Sequence, residues 1–177
     1  MAKILAFAGS NSSTSINYQL VKYTSGLIEN HDVRLLDLSN YPFPMYSEDL
    51  EKKEGFSNSL IELKNEIQNA DGIVLSLNEH NGGFSAYFKN VLDWLSRLEK
   101  KFFAETKVFL MSTSPGGRGA IGSLETANNV MPRFGAEIIS TFSLPSFHAN
   151  FNVDNGISES QLSDDYKKAL ETFLNSL

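Results

Sequence analysis

Five short apolar runs, each set apart from the next by a stretch with helical spacing, constrain this chain more than any other feature. They are KILAFA (3–8), DVRLLDL (32–38), GIVLSL (72–77), TKVFLMST (106–113) and EIISTFSL (137–144). Most are nearly continuous in apolar, β-branched or aromatic residues. A strand with one wet face alternates apolar and polar residues, whereas a strand covered on both faces does not need to. Between and after these runs, apolar residues return every three or four positions. Ile16, Leu20, Tyr23 and Leu27 share a face, as do Leu60, Leu63, Ile67 and Ala70. Phe84, Phe88, Val91 and Leu95 follow, then Ile121, Leu124, Ala127 and Met131, then Leu162, Tyr166, Ala169 and Phe173. Gly135 reads as a helix stop, with Pro132 straining the last turn. Strict alternation of strand and helix predicts a parallel sheet wrapped on both faces, because right-handed crossovers put helices there.

No repeat, low-complexity linker or composition shift marks a second domain, so residues 1–177 read as one domain. That length can bury a core without covalent staples. Zero cysteines exclude disulfides, thiolate zinc sites and a cysteine nucleophile together, and are compatible with the cytosol, the expected location. A net charge of −6 argues against a nucleic-acid or anionic-membrane surface. Ala6-Phe7-Ala8 imitates a signal-peptidase site, but the apolar stretch from Ile4 is shorter than the roughly 7–15 residues of a signal core. No apolar run is long enough to span a bilayer, so a mature soluble start is expected. The stretch 39–55 reads as the one long irregular segment.

In such a sheet, ligands bind beyond the carboxyl ends of the strands, where strand order reverses. The turns at 9–17, 78–84 and 114–119 therefore matter most. The first, FAGSNSSTSIN, lacks the Gly-Lys-Ser/Thr ending of a P-loop. It also lacks the three spaced glycines of a dinucleotide fingerprint, having only Gly9. Asp37 accordingly reads as a strand-end or turn residue. What remains is a set of neutral donors, Ser10, Ser12, Ser13, Thr14, Ser15 and Asn17, at a helix N-terminus whose backbone N–H groups are unpaired. That suits a terminal phosphate monoester. The same residues also read as a serine-rich N-cap before an ordinary helix. No Gly-x-Ser-x-Gly elbow, His-Glu-x-x-His or carboxylate cluster is present, so no catalytic side chain and no metal site are expected. His31 reads as a surface or capping residue and His148 as a loop hydrogen-bonding residue. The adjacent Glu79 and His80 are expected to point apart.

Gly9-Ser10, Ser15 and Asn17 resemble the G-S-x-R-x-x-S-x-N phosphate turn of the NADPH-dependent FMN reductase family. NEHNGGFSAYFKNVLDWLSR (78–97) is similar to that family's P-E-Y-N-x-S-x-P-G-x-L-K-N-A-I-D-W-L-S-R segment, and STSPGGRGAIG (112–122) to its glycine-rich turn after the fourth strand. Weaker echoes lie at 41–51 and 146–151. Four positions depart from the pattern: Ser12 stands for arginine, Asn78 for proline, His80 for tyrosine and Ser85 for proline.

The resemblance implies a flavodoxin-like, doubly wound α/β fold with a five-stranded parallel sheet in the order 2-1-3-4-5. It also implies FMN as cofactor, with Ser10, Ser12, Ser15, Ile16 and Asn17 at the phosphate. Asn78, Glu79, His80, Asn81 and Gly82 would line one edge of the ring, and Ser112, Thr113, Ser114, Pro115, Gly116, Gly117 and Arg118 the other. Arg118 and the start of the helix after Gly119 are candidate donors to the ring's N1/O2 edge. NADPH or NADH would supply hydride, with a small molecule such as a quinone, flavin or azo compound as acceptor. A homodimer or homotetramer is expected by the same resemblance, and neither nucleic acid nor membrane as partner. Two other readings stand beside the enzyme: an electron-carrier flavoprotein, and a binding or regulatory module that has lost its cofactor.

Overall fold

Each apolar run forms a strand, and the five lie side by side. The computed structural model describes residues 1–177. β1 (Lys3–Ala8) leads into α1 (Ile16–Gly26), and β2 (Asp32–Leu36) into α2 (Glu48–Glu54) and α3 (Asn58–Gln68). β3 (Gly72–Leu77) is followed by a small hairpin, β4 (Glu79–His80) and β5 (Gly83–Phe84), and then by α4 (Ala86–Leu98). β6 (Lys107–Thr113) precedes α5 (Ile121–Val130). β7 (Glu137–Leu144) precedes the short α6 (Phe147–Asn150). A second hairpin, β8 (Phe151–Asn152) and β9 (Gly156–Ile157), leads to α7 (Ser160–Ser176).

The sheet order is β2-β1-β3-β6-β7, which is 2-1-3-4-5 when only its own strands are counted, and every pairing is parallel. Its two faces explain the continuous apolar runs. Leu5 and Phe7 of β1 pack with Leu63, Val91, Leu95 and Leu124 of α3, α4 and α5. Ile4, Ala6 and Ala8 point the other way, to Leu20 and Val21 of α1 and Tyr166 and Phe173 of α7. Both sets of alternate residues are buried, so neither needs to be polar. Each large side chain buried in this way contributes about 1.5–3 kcal/mol.

Three local differences from expectation have physical causes. β2 stops at Leu36 because Asp37 turns back, its Oδ1 accepting the N–H of Ser39 at 2.9 Å. The 39–55 stretch contains α2, whose N-cap Ser47 accepts from Leu50, with Glu48 and Asp49 in the first turn, Lys52 and Lys53 in the last, and Gly55 at φ 69° as the stop. Ends charged in this sense favour a helix that buries no residue. The rest of that segment is strapped to one face of α4. Tyr87 Oη donates to the carbonyls of Leu38 and Tyr41, and Asn90 Nδ2 and Trp94 Nε1 both donate to that of Pro44. Arg97 ends the stripe on Glu51. Burial pushes the Tyr87 phenol well above its ordinary value. It therefore stays a donor.

Gly135 ends the helical stretch begun by α5 as expected, at φ 95° after a 3-10 turn over Met131–Phe134. No helix is long and apolar enough to cross a membrane.

Candidate functional site

The carboxyl ends of β1, β3 and β6 carry three turns that face one crevice. The first is pinned on all sides. Gly9 N–H donates to the Ser76 carbonyl on β3, and the Ser85 hydroxyl donates to the Gly9 carbonyl. A side chain at Gly9 would put its Cβ 2.6 Å from Leu77 Cδ2 and 2.8 Å from Phe88 Cδ2, so only glycine fits.

Asn17 locks the same turn to the sheet. Its Oδ1 accepts from the Ser76 hydroxyl at 2.7 Å and the Thr113 N–H at 3.1 Å, while Nδ2 donates to the Thr113 carbonyl at 3.1 Å. The amide is 1% exposed and holds the turn in place from behind. Ser15 caps α1 by accepting from Tyr18 N–H. Ser10 accepts from Ser12 N–H, and Ser12 from Thr14 N–H. The backbone N–H groups of Ser10, Asn11, Ser13, Ile16 and Asn17 keep no partner within the protein. With the positive end of α1 beside them, they form a neutral cradle for an anion.

The second turn is the β4–β5 hairpin. Asn81 and Gly82 have φ of 54° and 80°, the two positive values that an Asn-Gly hairpin turn requires. His80, Asn81 and Gly82 are exposed, and Asn78 Nδ2 lies 3.4 Å from His80 Nε2. Glu79 points away from His80, as expected of neighbours, and its Oε2 accepts the N–H of Ser123 at the start of α5. One donor of that helix start, the Ser123 N–H, is therefore engaged by Glu79. Phe84 turns inward against Phe88 at 5.3 Å between ring centroids.

In the third turn the side chains divide into two groups. Ser112 and Thr113 are buried and face inward, donating to the carbonyls of Gly119 and Leu144. Ser114 donates to the Gly116 carbonyl, and Pro115, Gly116, Gly117 and Arg118 are exposed. Arg118 forms no ion pair, so it and the cradle supply the positive potential of the crevice. The β7–α6 junction supports this turn, with Ser146 N–H donating to Gly116 O and Phe147 N–H to Ser114 O.

Ser76 and Ser85 support the site from behind, through Asn17 and the Gly9 carbonyl. Ser76 had one signal, a hydroxyl in an otherwise apolar strand. Ser146 and Phe147 act through backbone and had no signal beyond the weak echo at 146–151. His31 lies elsewhere, accepting from Ala2 N–H, and His148 is exposed on α6. The concavities around Trp94, Tyr23, Thr106, Arg34 and Tyr166 do not coincide with the crevice.

A strand order reversing between β1 and β3, with a hydroxyl-rich turn at the reversal, defines a flavodoxin-like protein. Residues 2–149 match the profile of the NADPH-dependent FMN reductase family, and the chain belongs to that family. It is 36% identical over 73 residues to a quinone reductase of Escherichia coli, a match covering 41% of this chain and 39% of that one. The chain thus spans well under half the length of the quinone reductases it matches. It is 28% identical over 118 residues to the NAD(P)H-dependent FMN reductase PA1204 of Pseudomonas aeruginosa, covering 66% of this chain and 62% of that one. Among solved structures, the flavoenzyme NAD(P)H:(acceptor) oxidoreductase FerB from Paracoccus denitrificans superposes with a TM-score of 0.78 at 22% identity. That superposition covers 99% of this chain and 96% of the other. At that identity the likeness speaks for the fold.

Proposed function

We propose that the crevice binds FMN and that the protein is an NAD(P)H-dependent oxidoreductase for a quinone, flavin, azo compound or similar small acceptor. The observation that supports this most is the set of unpartnered backbone N–H groups at Ser10, Asn11, Ser13, Ile16 and Asn17. They sit in a turn with no cation of its own, which suits a phosphate monoester.

The rest of the crevice fits the remainder of such a ligand. A Cβ at Gly82, Gly83 or Gly117 would meet nothing nearer than 4.0 Å, so these backbones have open space beside them. Of the two buried side-chain polar atoms without a partner, Asn78 Oδ1 belongs to the half-buried residue that opens the second turn, and Ser123 Oγ to a fully buried residue of α5. Buried polar groups are normally satisfied, and an orphan at a crevice is a group that a ligand can engage.

In this reading Ser10, Ser12, Ser15 and Ile16 hold the phosphate, with Asn17 fixing the turn from behind. Asn78, His80, Asn81 and Gly82, with the backbone of Glu79, form one edge of the ring site, and Ser114, Pro115, Gly116, Gly117 and Arg118 the other. Ser112 and Thr113 set the shape of the second edge from within. FMN, when bound, supplies the hydride-accepting and electron-donating chemistry, and the protein supplies position and electrostatics. Arg118 draws the anionic nicotinamide nucleotide to the rim. Phe84 is turned into the core, so the glycine turns leave the ring site uncovered for donor and acceptor in turn, which favours a reductase over a shielded electron carrier. The single domain 1–177, a cytoplasmic setting and a homodimer or homotetramer complete the proposal.

The test is direct. Purified protein is titrated with FMN by fluorescence quenching, then given NADH or NADPH with menadione as acceptor. Saturable uptake with nicotinamide oxidation is expected. No FMN uptake would leave a binding module, and uptake without nicotinamide oxidation would favour an electron carrier.

A further inference from the structure

Glu79 and Gly122 meet where the 79–84 hairpin packs on the first turn of α5. The start of α5 has no cap of its own: Ala120 stands at the N-cap with φ 61° and no side-chain bond. The cap comes from the hairpin, where Glu79 Oε2 accepts Ser123 N–H at 3.1 Å. A carboxylate at a helix start is favoured by both the free N–H groups and the helix dipole. Gly122 makes the seat. A Cβ there would lie 2.9 Å from Glu79 Oε2 and 3.2 Å from the Gly82 carbonyl oxygen. Glycine is a poor helix former, and here it admits the hairpin against the first turn of α5. The two orphaned buried polar atoms, Asn78 Oδ1 and Ser123 Oγ, belong to the residues flanking this bond.

We propose that Glu79 and Gly122 are a positioning pair that seats the 79–84 hairpin on α5 and so sets the ring side of the crevice. Glu79 acts on ligand affinity through the hairpin backbone that carries Asn78, Asn81 and Gly82. Its carboxylate faces α5, away from the ligand. The inference rests on the FMN reading for what is bound, whereas the seat belongs to the chain alone.

Three variants separate the contributions. Glu79→Ala removes the cap. Glu79→Gln removes the charge but keeps an oxygen for Ser123 N–H. Gly122→Ala keeps every charge and favours helix, yet obstructs the seat. Two measurements are made on each: amide hydrogen exchange at Ser123 and residues 79–84 in FMN-free protein, and FMN affinity by fluorescence quenching.

Protection of Ser123 is expected to persist in Glu79→Gln and to be lost in Glu79→Ala and Gly122→Ala. FMN affinity is expected to fall about tenfold in the latter two, on the scale of one charge-assisted hydrogen bond, and less than about threefold in Glu79→Gln. Protection unchanged in both Glu79→Ala and Gly122→Ala would overturn the seat. Lost protection with undiminished FMN affinity would overturn its positioning role. Wild-type protein that takes up no FMN would instead remove the FMN reading, and the exchange data alone would then decide the seat.

Discussion

The Ser85 hydroxyl donates to the Gly9 carbonyl at 3.1 Å while accepting the N–H of Phe88 at 3.1 Å, so one side chain caps α4 and holds the first turn against it. Ser85 is 3% exposed, and Gly9 is buried beneath α4. Ser85→Ala removes a cap worth about 1 kcal/mol. It also leaves a buried carbonyl without its donor, at about 1–3 kcal/mol. A loss of about 2–4 kcal/mol is expected, read as a lower urea midpoint at unchanged slope. A loss below about 0.5 kcal/mol, the scale of an ordinary surface substitution, would mean that water replaces the hydroxyl freely.

Asn17 carries a heavier load, because three groups on two strands depend on its amide. Asn17→Leu strands the Ser76 hydroxyl and both backbone groups of Thr113. The expected cost is about 3 kcal/mol or more, with weaker FMN binding as the turn loosens. Asn17→Asp keeps the acceptor but sets a second oxygen against the Thr113 carbonyl and buries a charge. It should be no more stable than the leucine variant at neutral pH, as measured by urea unfolding. A near-native aspartate variant would show that the donor arm contributes little.

The contrast between these two residues shows what the chain discloses in advance. The five strands were legible because both faces of the sheet are dry, which leaves an unbroken apolar signature in each run. α2 was not, because it buries no residue and is defined by its charges and caps, to which hydrophobic spacing is blind. The β4–β5 hairpin had its Asn-Gly signal, but with two residues in each arm it left no strand pattern. Asn17 lies in the candidate turn, but the engagement of its amide with the sheet has no sequence signal. Its partners Ser76 and Thr113 lie 59 and 96 residues away, so nothing local marks the amide as already engaged. The inward engagement of Ser112 and Thr113 is hidden for the same reason, their acceptors being carbonyls of later turns.

Ser12 is exposed, and its hydroxyl makes only 3.3 Å contacts, to the N–H and hydroxyl of Thr14. Ser12→Arg would add a cation beside the cradle. In FMN-free protein a positive charge near the start of α1 is unfavourable, by about 0.3–1 kcal/mol. With FMN the guanidinium adds a charge-assisted contact to phosphate, expected to tighten binding about tenfold. The variant should therefore melt slightly lower alone and higher with FMN, and its added affinity should decline with salt. Unchanged affinity in fluorescence titration would place residue 12 away from the phosphate.

The strap along α4 ends on a carboxylate held from two sides. Arg97 Nε lies 2.9 Å from Glu51 Oε2 and Nη2 3.3 Å from Oε1, while Tyr46 Oη donates to Oε2 at 2.9 Å. The Arg97 hydrogen bonds, and after them that of Tyr46, hold the Glu51 carboxyl below its ordinary value. A group with a depressed folded pKa contributes stability that is present above the unfolded value and lost as pH falls through the folded one. The strap should therefore stay closed through neutrality and loosen only in acid, below the ordinary glutamate value of about 4.3. Trp94, the only tryptophan, reports on it, donating to Pro44 O at 2.8 Å and meeting Tyr46 edge-on at 5.1 Å. Its emission should hold steady from neutral pH and shift only below that value, with the change moved upward by salt because the Arg97 side chain is 52% exposed. Glu51→Gln should start at neutral pH with the emission already partly shifted and show no such acid step, and a wild-type step centred above the ordinary glutamate value would contradict the pairing.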